Sequence, residues 1–289
     1  MKTPGLPSIV LGLLLSSPVH FALQQEAKDE ALEVTTASAD AAQRLLADYE
    51  DAMASKEGRK VMRILDRMAA HDNADFLEAA TKLLKYKASK VDKKLVKETA
   101  KQLGIQSRTK IAKMTARSEA DVQASAARLL GNIPGKDSAA SLMKALKDKK
   151  LGSDKPLVLT AVIDALGRLG HVKAEPMVKD EFRKFREENV HRACVIYFGR
   201  IETKDRDVVR ALCEQLESPQ PANVDSASNP PASYWEERWR VWQVTRRDVS
   251  WALQEITGQR FQPGEGGQPG DGEKALRWLE ENGKKLGIK

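Results

Sequence analysis

One recurring phrase limits what this chain can fold into. An Ala- and Leu-rich helical run ends in Leu-Gly or Phe-Gly, with a basic or small residue and an Ile or Leu nearby, and a second amphipathic run follows. Copies lie at Leu95–Ile105, Val122–Ile133, Val158–Leu169 and Val190–Ile201. Their glycines, Gly104, Gly131, Gly167 and Gly199, are spaced 27, 36 and 32 residues apart. Each follows the last apolar residue of its run, where a helix C-cap wants a residue that tolerates positive φ. Turn formers such as Pro134–Asp137 and Thr203–Asp205 separate the helices. Partner runs, for example Val208, Val209, Leu212 and Leu216, are apolar at helical spacing. A helical hairpin of about 30 residues cannot bury its apolar face alone, whereas stacked copies share a continuous core.

With Asp121-Val122 and Asn189–Arg192 opening two of the copies, residues 56–217 resemble the HEAT-repeat family. Gln123 stands where that family's opening phrase carries Arg. The resemblance implies an all-α fold: a right-handed α-solenoid of stacked antiparallel helix pairs. Tetratricopeptide arrays are the helical rival, but their Trp, Tyr and Pro signature is missing. Composition agrees with helices, because aromatics are only 5% of the chain while Ala, Leu, Lys and Glu abound.

A polar, Pro-rich loop at 218–233 ends the repeats, and residues 234–289 form a helical cap. Its first helix opens at Ser233, with Glu236 completing a capping box. Trp235, Trp239 and Trp242 lie at i, i+4 and i+7 and make one aromatic stripe. That stripe is either core of the cap or, with Arg238, Arg240, Arg246 and Arg247 nearby, an aromatic-lined binding groove. The phrase Ile256–Phe261 and the helix bearing Trp278 resemble the terminal cap of exported bacterial HEAT-repeat proteins.

Charge is uneven. Residues 23–55, an acidic helical or linker segment, carry two basic and eight acidic residues, a net of −6. Residues 56–117 carry seventeen basic and seven acidic, a net of +10. The concentration is greatest from Lys82 through Lys85, Lys90, Lys93, Lys94, Lys97 and Lys101 to Arg108 and on to Arg117. A solvated helix face accounts for such a block, as does a docking face for an anionic partner or for the acidic segment folding back. At the N-terminus, Met1-Lys2, the apolar run Ile9–Leu15 and the break at Ser16-Ser17-Pro18 predict a signal peptide cleaved after Ala22, with an uncleaved anchor as the alternative. The run is too short to span a bilayer, which takes roughly 20 residues. Export predicts a periplasmic or secreted protein.

Catalytic patterns are scarce. Neither a His-Glu-x-x-His helix nor a Gly-x-Ser-x-Gly elbow occurs, and the Gly-rich stretch 264–272 lacks the Lys-Ser/Thr of a phosphate cradle. The best constellation is His191, Cys194 and Cys213. The cysteines stand nearly symmetrically about the turn at Thr203-Lys204, so buried free thiols, a disulfide and, least favoured, a metal or reactive-thiol site remain open. The sequence therefore predicts a non-catalytic protein–protein interaction scaffold without cofactor or metal. The alternative is a polyanion or nucleic-acid binder acting through block 82–117, and no membrane span is expected after signal cleavage.

Overall fold

The computed structural model describes residues 40–71, 73–148, 155–184, 187–219, 232–265 and 269–289, without the side chains of 232–235. The leader at 1–22, the acidic stretch 23–39, most of the Pro-rich loop and the indole of Trp235 lie outside the described residues. The chain divides after Arg44. Of the first unit only residues 40–44 are described, and they are helical. The second unit, 45–289, carries everything that follows.

It opens in helix α1, described over 45–55, and continues through α2 (Gly58–Met68), α3 (Leu77–Leu83), α4 (Lys90–Gln102), α5 (Arg108–Asn132), α6 (Lys136–Leu146) and α7 (Pro156–Arg168). Then come α8 (Glu175–Lys184), α9 (Glu188–Arg200), α10 (Arg206–Glu214), α11 (Ala232–Thr257) and α12 (Gly272–Asn282). Local chemistry fixes the starts. Ser107 and Asp205 accept the N–H of Lys110 and Val208, and Pro156 occupies the first turn of α7, where its missing donor costs nothing.

The helices stack in two layers. In the first, α2 packs on α5, α5 on α7, α7 on α9 and α9 on α11. The second holds α3, α6, α8, α10 and α12: α3, α6, α8 and α10 pack on the first-layer helices that come next, α5, α7, α9 and α11, and α12 lies against α10. Leu129, Leu130, Leu142, Val162, Leu166, Val195, Phe198, Leu212 and Leu253 are fully buried between them. This is the stacked-pair architecture that the sequence predicts.

The marker glycines serve a different purpose from the one expected. Gly131, Gly167 and Gly199 are helical and face the next first-layer helix. A Cβ on Gly131 would stand 2.7 Å from the Ala165 Cβ, and one on Gly199 would stand 2.9 Å from the Ala252 Cα. At Gly167 the nearest atom, the Tyr197 Cα, would be 3.3 Å away. The left-handed caps come three residues later, at Gly170 (φ +59°) and Glu202 (φ 48°). There the N–H of His171 returns to Leu166 O and that of Thr203 to Phe198 O, both at 3.0–3.1 Å.

Gly104, in contrast, is itself left-handed at φ +68°, with open space around it. Its helix α4 is not a stacked repeat helix, because α2 occupies that place in the layer. Instead α4, the turn at 103–107 and the first half of α5 form an arm that stands off the stack. From Ala120 to Gly131 α5 is almost wholly buried, whereas from Arg108 to Arg117 it is exposed or half-exposed. Leu103, at the arm's tip, is 64% exposed.

The first helix of the C-terminal cap, α11, is one helix of 26 residues, beginning at Ala232, one residue before the predicted capping Ser233. The Ile256–Phe261 phrase ends it. Gly258 turns left-handed at φ +70°, Thr257 donates to Leu253 O at 2.5 Å, and Phe261 is buried against Trp278. Residues 287–289 return to the last repeat, where the N–H of Arg206 donates to Lys289 O and that of Lys289 to Lys204 O, each at 2.9 Å.

Candidate functional site

The arm is fastened at its base by one carboxylate. Asp92, 4% exposed, accepts from Gly58 N–H at 2.6 Å, Ser89 N–H at 2.8 Å and the Tyr86 hydroxyl at 2.5 Å. It thus caps the start of α2, closes a capping box with Ser89 at the start of α4, and joins the two helices. Burial pushes its carboxyl up, but the hydrogen bonds from Tyr86, Gly58 and Ser89 outweigh burial and hold it below the usual range.

The basic block falls on and around this arm. Lys82 lies in the last turn of α3 and Lys85 in the turn that follows; Lys90, Lys93, Lys94, Lys97 and Lys101 are on α4; Arg108 begins α5. All are exposed. The arm divides its cations between two sides. Lys93, Lys97 and Arg108 surround a shallow depression of about 550 Å³ floored by Ile111, Ala112 and Ala116. Lys113 and Arg117 face α2, where they meet Arg59 and Arg63 across a groove of about 500 Å³. Its floor is apolar, made by Met62, Val96, Met114 and Val122. Asp121 lines it too, held by the Arg117 guanidinium at 3.1 Å.

Sequence reasoning missed Arg59, Arg63 and Met62, which lie before the densest lysine run. The net +10 of residues 56–117 includes them, so the charge was visible although the side of the arm it served was not.

Charges on the stacked first layer are used differently. Arg168 donates to Asp164 at 2.5 Å and to Asn132 of α5 at 2.7 Å. Asn132 in turn donates to the O of Ala69, the residue that caps α2, and Arg200 of α9 reaches Asp164 at 2.7 Å. Farther along, Arg192 pairs with Asp248 at 2.6 Å and Arg240 with Glu188 at 3.2 Å. One polar ladder therefore ties α2, α5, α7, α9 and α11 edge to edge.

The tryptophans belong largely to packing. Trp242 is 7% exposed, donates its indole N–H to Gln215 O at 3.0 Å, and lies under the Arg246 guanidinium. This corrects its place as an interaction candidate: its polar tip and its ring already have partners within the fold. Trp239 stacks on it at 5.0 Å and stays half-exposed.

His191, Cys194 and Cys213 also serve the core. His191 stacks on Phe182 at 4.5 Å, and its Nε2 is 3.0 Å from Gln215 Oε1. Burial pushes its pKa down to about 4. Cys194 and Cys213 are free, buried thiols, so the disulfide alternative is not formed. Burial pushes both upward, Cys213 to about 12, which suppresses the thiolate that metal binding or nucleophilic attack requires. Among the described residues no group of His, Cys, Asp and Glu is placed to hold a metal ion, and no helix is long and apolar enough to cross a membrane.

No curated protein and no solved structure matches the chain. Residues 122–148, the second half of the α5 helix and all of α6, match the family model described as PBS lyase HEAT-like repeat. That match falls on one helix pair of an all-α stack and supports a HEAT-like repeat at these residues.

Proposed function

We propose that this chain is a non-catalytic protein–protein interaction scaffold whose binding surface is the basic arm. Stacked helix pairs present extended surfaces without needing reactive side chains. The observation that carries the reading is the contrast in how cations are used. Along the stacked layer Arg168, Arg192, Arg200 and Arg240 are engaged with carboxylates of the same chain. On the arm, exposed cations flank apolar side chains in two depressions. The apolar run Ile9–Leu15 supports export to the periplasm or the exterior as the setting.

Affinity capture from native extract tests the reading, using nuclease treatment and about 0.3 M salt to screen weak surface attraction. The expected result is one recurring protein at near-equal stoichiometry. Recovery of only nucleic acid or acidic polymer, lost as salt rises, would replace the scaffold with a polyanion binder using block 82–117.

A further inference from the structure

We infer that the groove between α2 and the arm receives an acidic amphipathic helix from a partner protein. The partner's carboxylates would lie on Arg59, Arg63 and Lys113, and its apolar side chains on Met62 and Met114. This inference rests on the interaction reading above and names the partner's chemistry.

Charge selects an acidic partner. Arg59, Arg63 and Lys113 are exposed and form no ion pair among the described residues, while the one carboxylate lining the groove, Asp121, is held by Arg117. The floor excludes a partner that offers charge alone. A polyphosphate or nucleic-acid strand would leave Met62 and Met114 uncovered, and among the described residues no aromatic side chain lines the groove to stack a base. Thioether side chains adapt to varied apolar partners, and the walls are themselves helices, so a helix bearing anchors at i, i+3 or i+4, and i+7 fits the shape. Both requirements, carboxylates outside and apolar residues inside, are met together by an acidic amphipathic helix.

The test is selection from a display library of random peptides of about sixteen residues, roughly four helical turns. Selection uses the full chain alone, and the recovered peptides are then measured on the triple variant Arg59→Glu/Arg63→Glu/Lys113→Glu, whose folding is checked by circular dichroism. The expected peptides are rich in Asp and Glu, with Leu, Ile, Phe or Met at helical spacing. They should lose roughly tenfold or more in affinity on the triple variant, and also weaken on Met62→Asp. A single-stranded oligonucleotide of equal charge should not displace them at about 0.15 M salt. Peptides without acidic bias, equal retention by the triple variant, or displacement by the oligonucleotide would each overturn the assignment. If native capture returns a protein that the triple variant still holds, the groove assignment falls and the scaffold reading stands. If capture returns no protein, the scaffold reading falls whatever the peptides do.

Discussion

Gly131 of α5 lies against Ala165 of α7 so closely that a methyl group on the glycine would stand 2.7 Å from the alanine Cβ and 2.8 Å from its Cα. Two effects compete in Gly131→Ala. Alanine gains about 1 kcal/mol of helix propensity, whereas overpacking a helix contact costs about 1–3 kcal/mol. The atoms in the way are the Cβ and Cα of an alanine, which have no rotamer to swing aside, so the variant should be less stable by up to about 2 kcal/mol. Gly167→Ala, with its nearest contact at 3.3 Å, should lose less or nothing. Urea midpoints for the two variants decide it: Gly131→Ala at or above the parent would show that the layer has slack.

That contact also explains what was legible in the sequence. The recurring phrase located the right helices because it records two requirements of stacking. A glycine allows close approach, and the next residue, Asn132, Arg168 or Arg200, joins the polar ladder to the neighbouring helices. The copy at Leu95–Ile105 shares the letters Leu-Gly-Ile but has Ile105 directly after the glycine and nothing for the ladder. Its letters predict a repeat, and it is the arm. Its 27-residue spacing to Gly131 and the weak apolar periodicity of 108–117 were signals of the difference. The groove was less legible, because it joins α2 to residues about fifty positions later, and pairing between elements is not written in local periodicity.

Glu202 occupies the left-handed cap that Gly170 occupies one repeat earlier, with φ of 48° against +59°. A non-glycine residue there costs roughly 1 kcal/mol. Glu202→Gly should therefore stabilise the protein by about 0.5–1 kcal/mol, a rise in Tm of roughly 1–4 °C for a chain of this size. A thermal melt showing no rise would mean that the glutamate makes a compensating contact.

Asp92 is the fastening of the arm, so Asp92→Ala should act locally. Gly58 N–H and the Tyr86 hydroxyl lose their shared acceptor, at a cost of about 1–3 kcal/mol. Hydrogen exchange should accelerate over α4 and the first half of α5 more than over α7 and α9. Uniform acceleration would show that the arm is no separate unit.

Cys194 and Cys213 should be silent toward a thiol reagent in the folded protein. Both are buried and both are pushed toward the protonated form. Labelling at pH 8 should proceed only at the rate of unfolding and should reach two thiols in denaturant. Rapid labelling of either cysteine without denaturant would return it to the list of functional candidates.

His191 should make stability fall as the solution is acidified from neutrality. Burial between Phe182 and Gln215 depresses its pKa from 6.5 to about 4. Between those values the unfolded chain takes up a proton that the folded chain refuses, so unfolding becomes easier as pH drops, by roughly 3 kcal/mol over the window. Above pH 6.5 the effect vanishes, because the histidine is neutral in both states. Asp92 and Asp205 act lower: their folded values lie beneath the usual 3.8 of an aspartate, and their contribution is lost only as pH falls past that. The two windows are thus separable. His191→Gln keeps a group able to hydrogen-bond Gln215 and removes the titration, so its absolute stability is secondary to its slope. Urea unfolding of parent and variant at pH 7, 6, 5 and 4.5 should show a falling parent and a nearly level variant. Parallel slopes would place the acid sensitivity elsewhere and deny His191 its role.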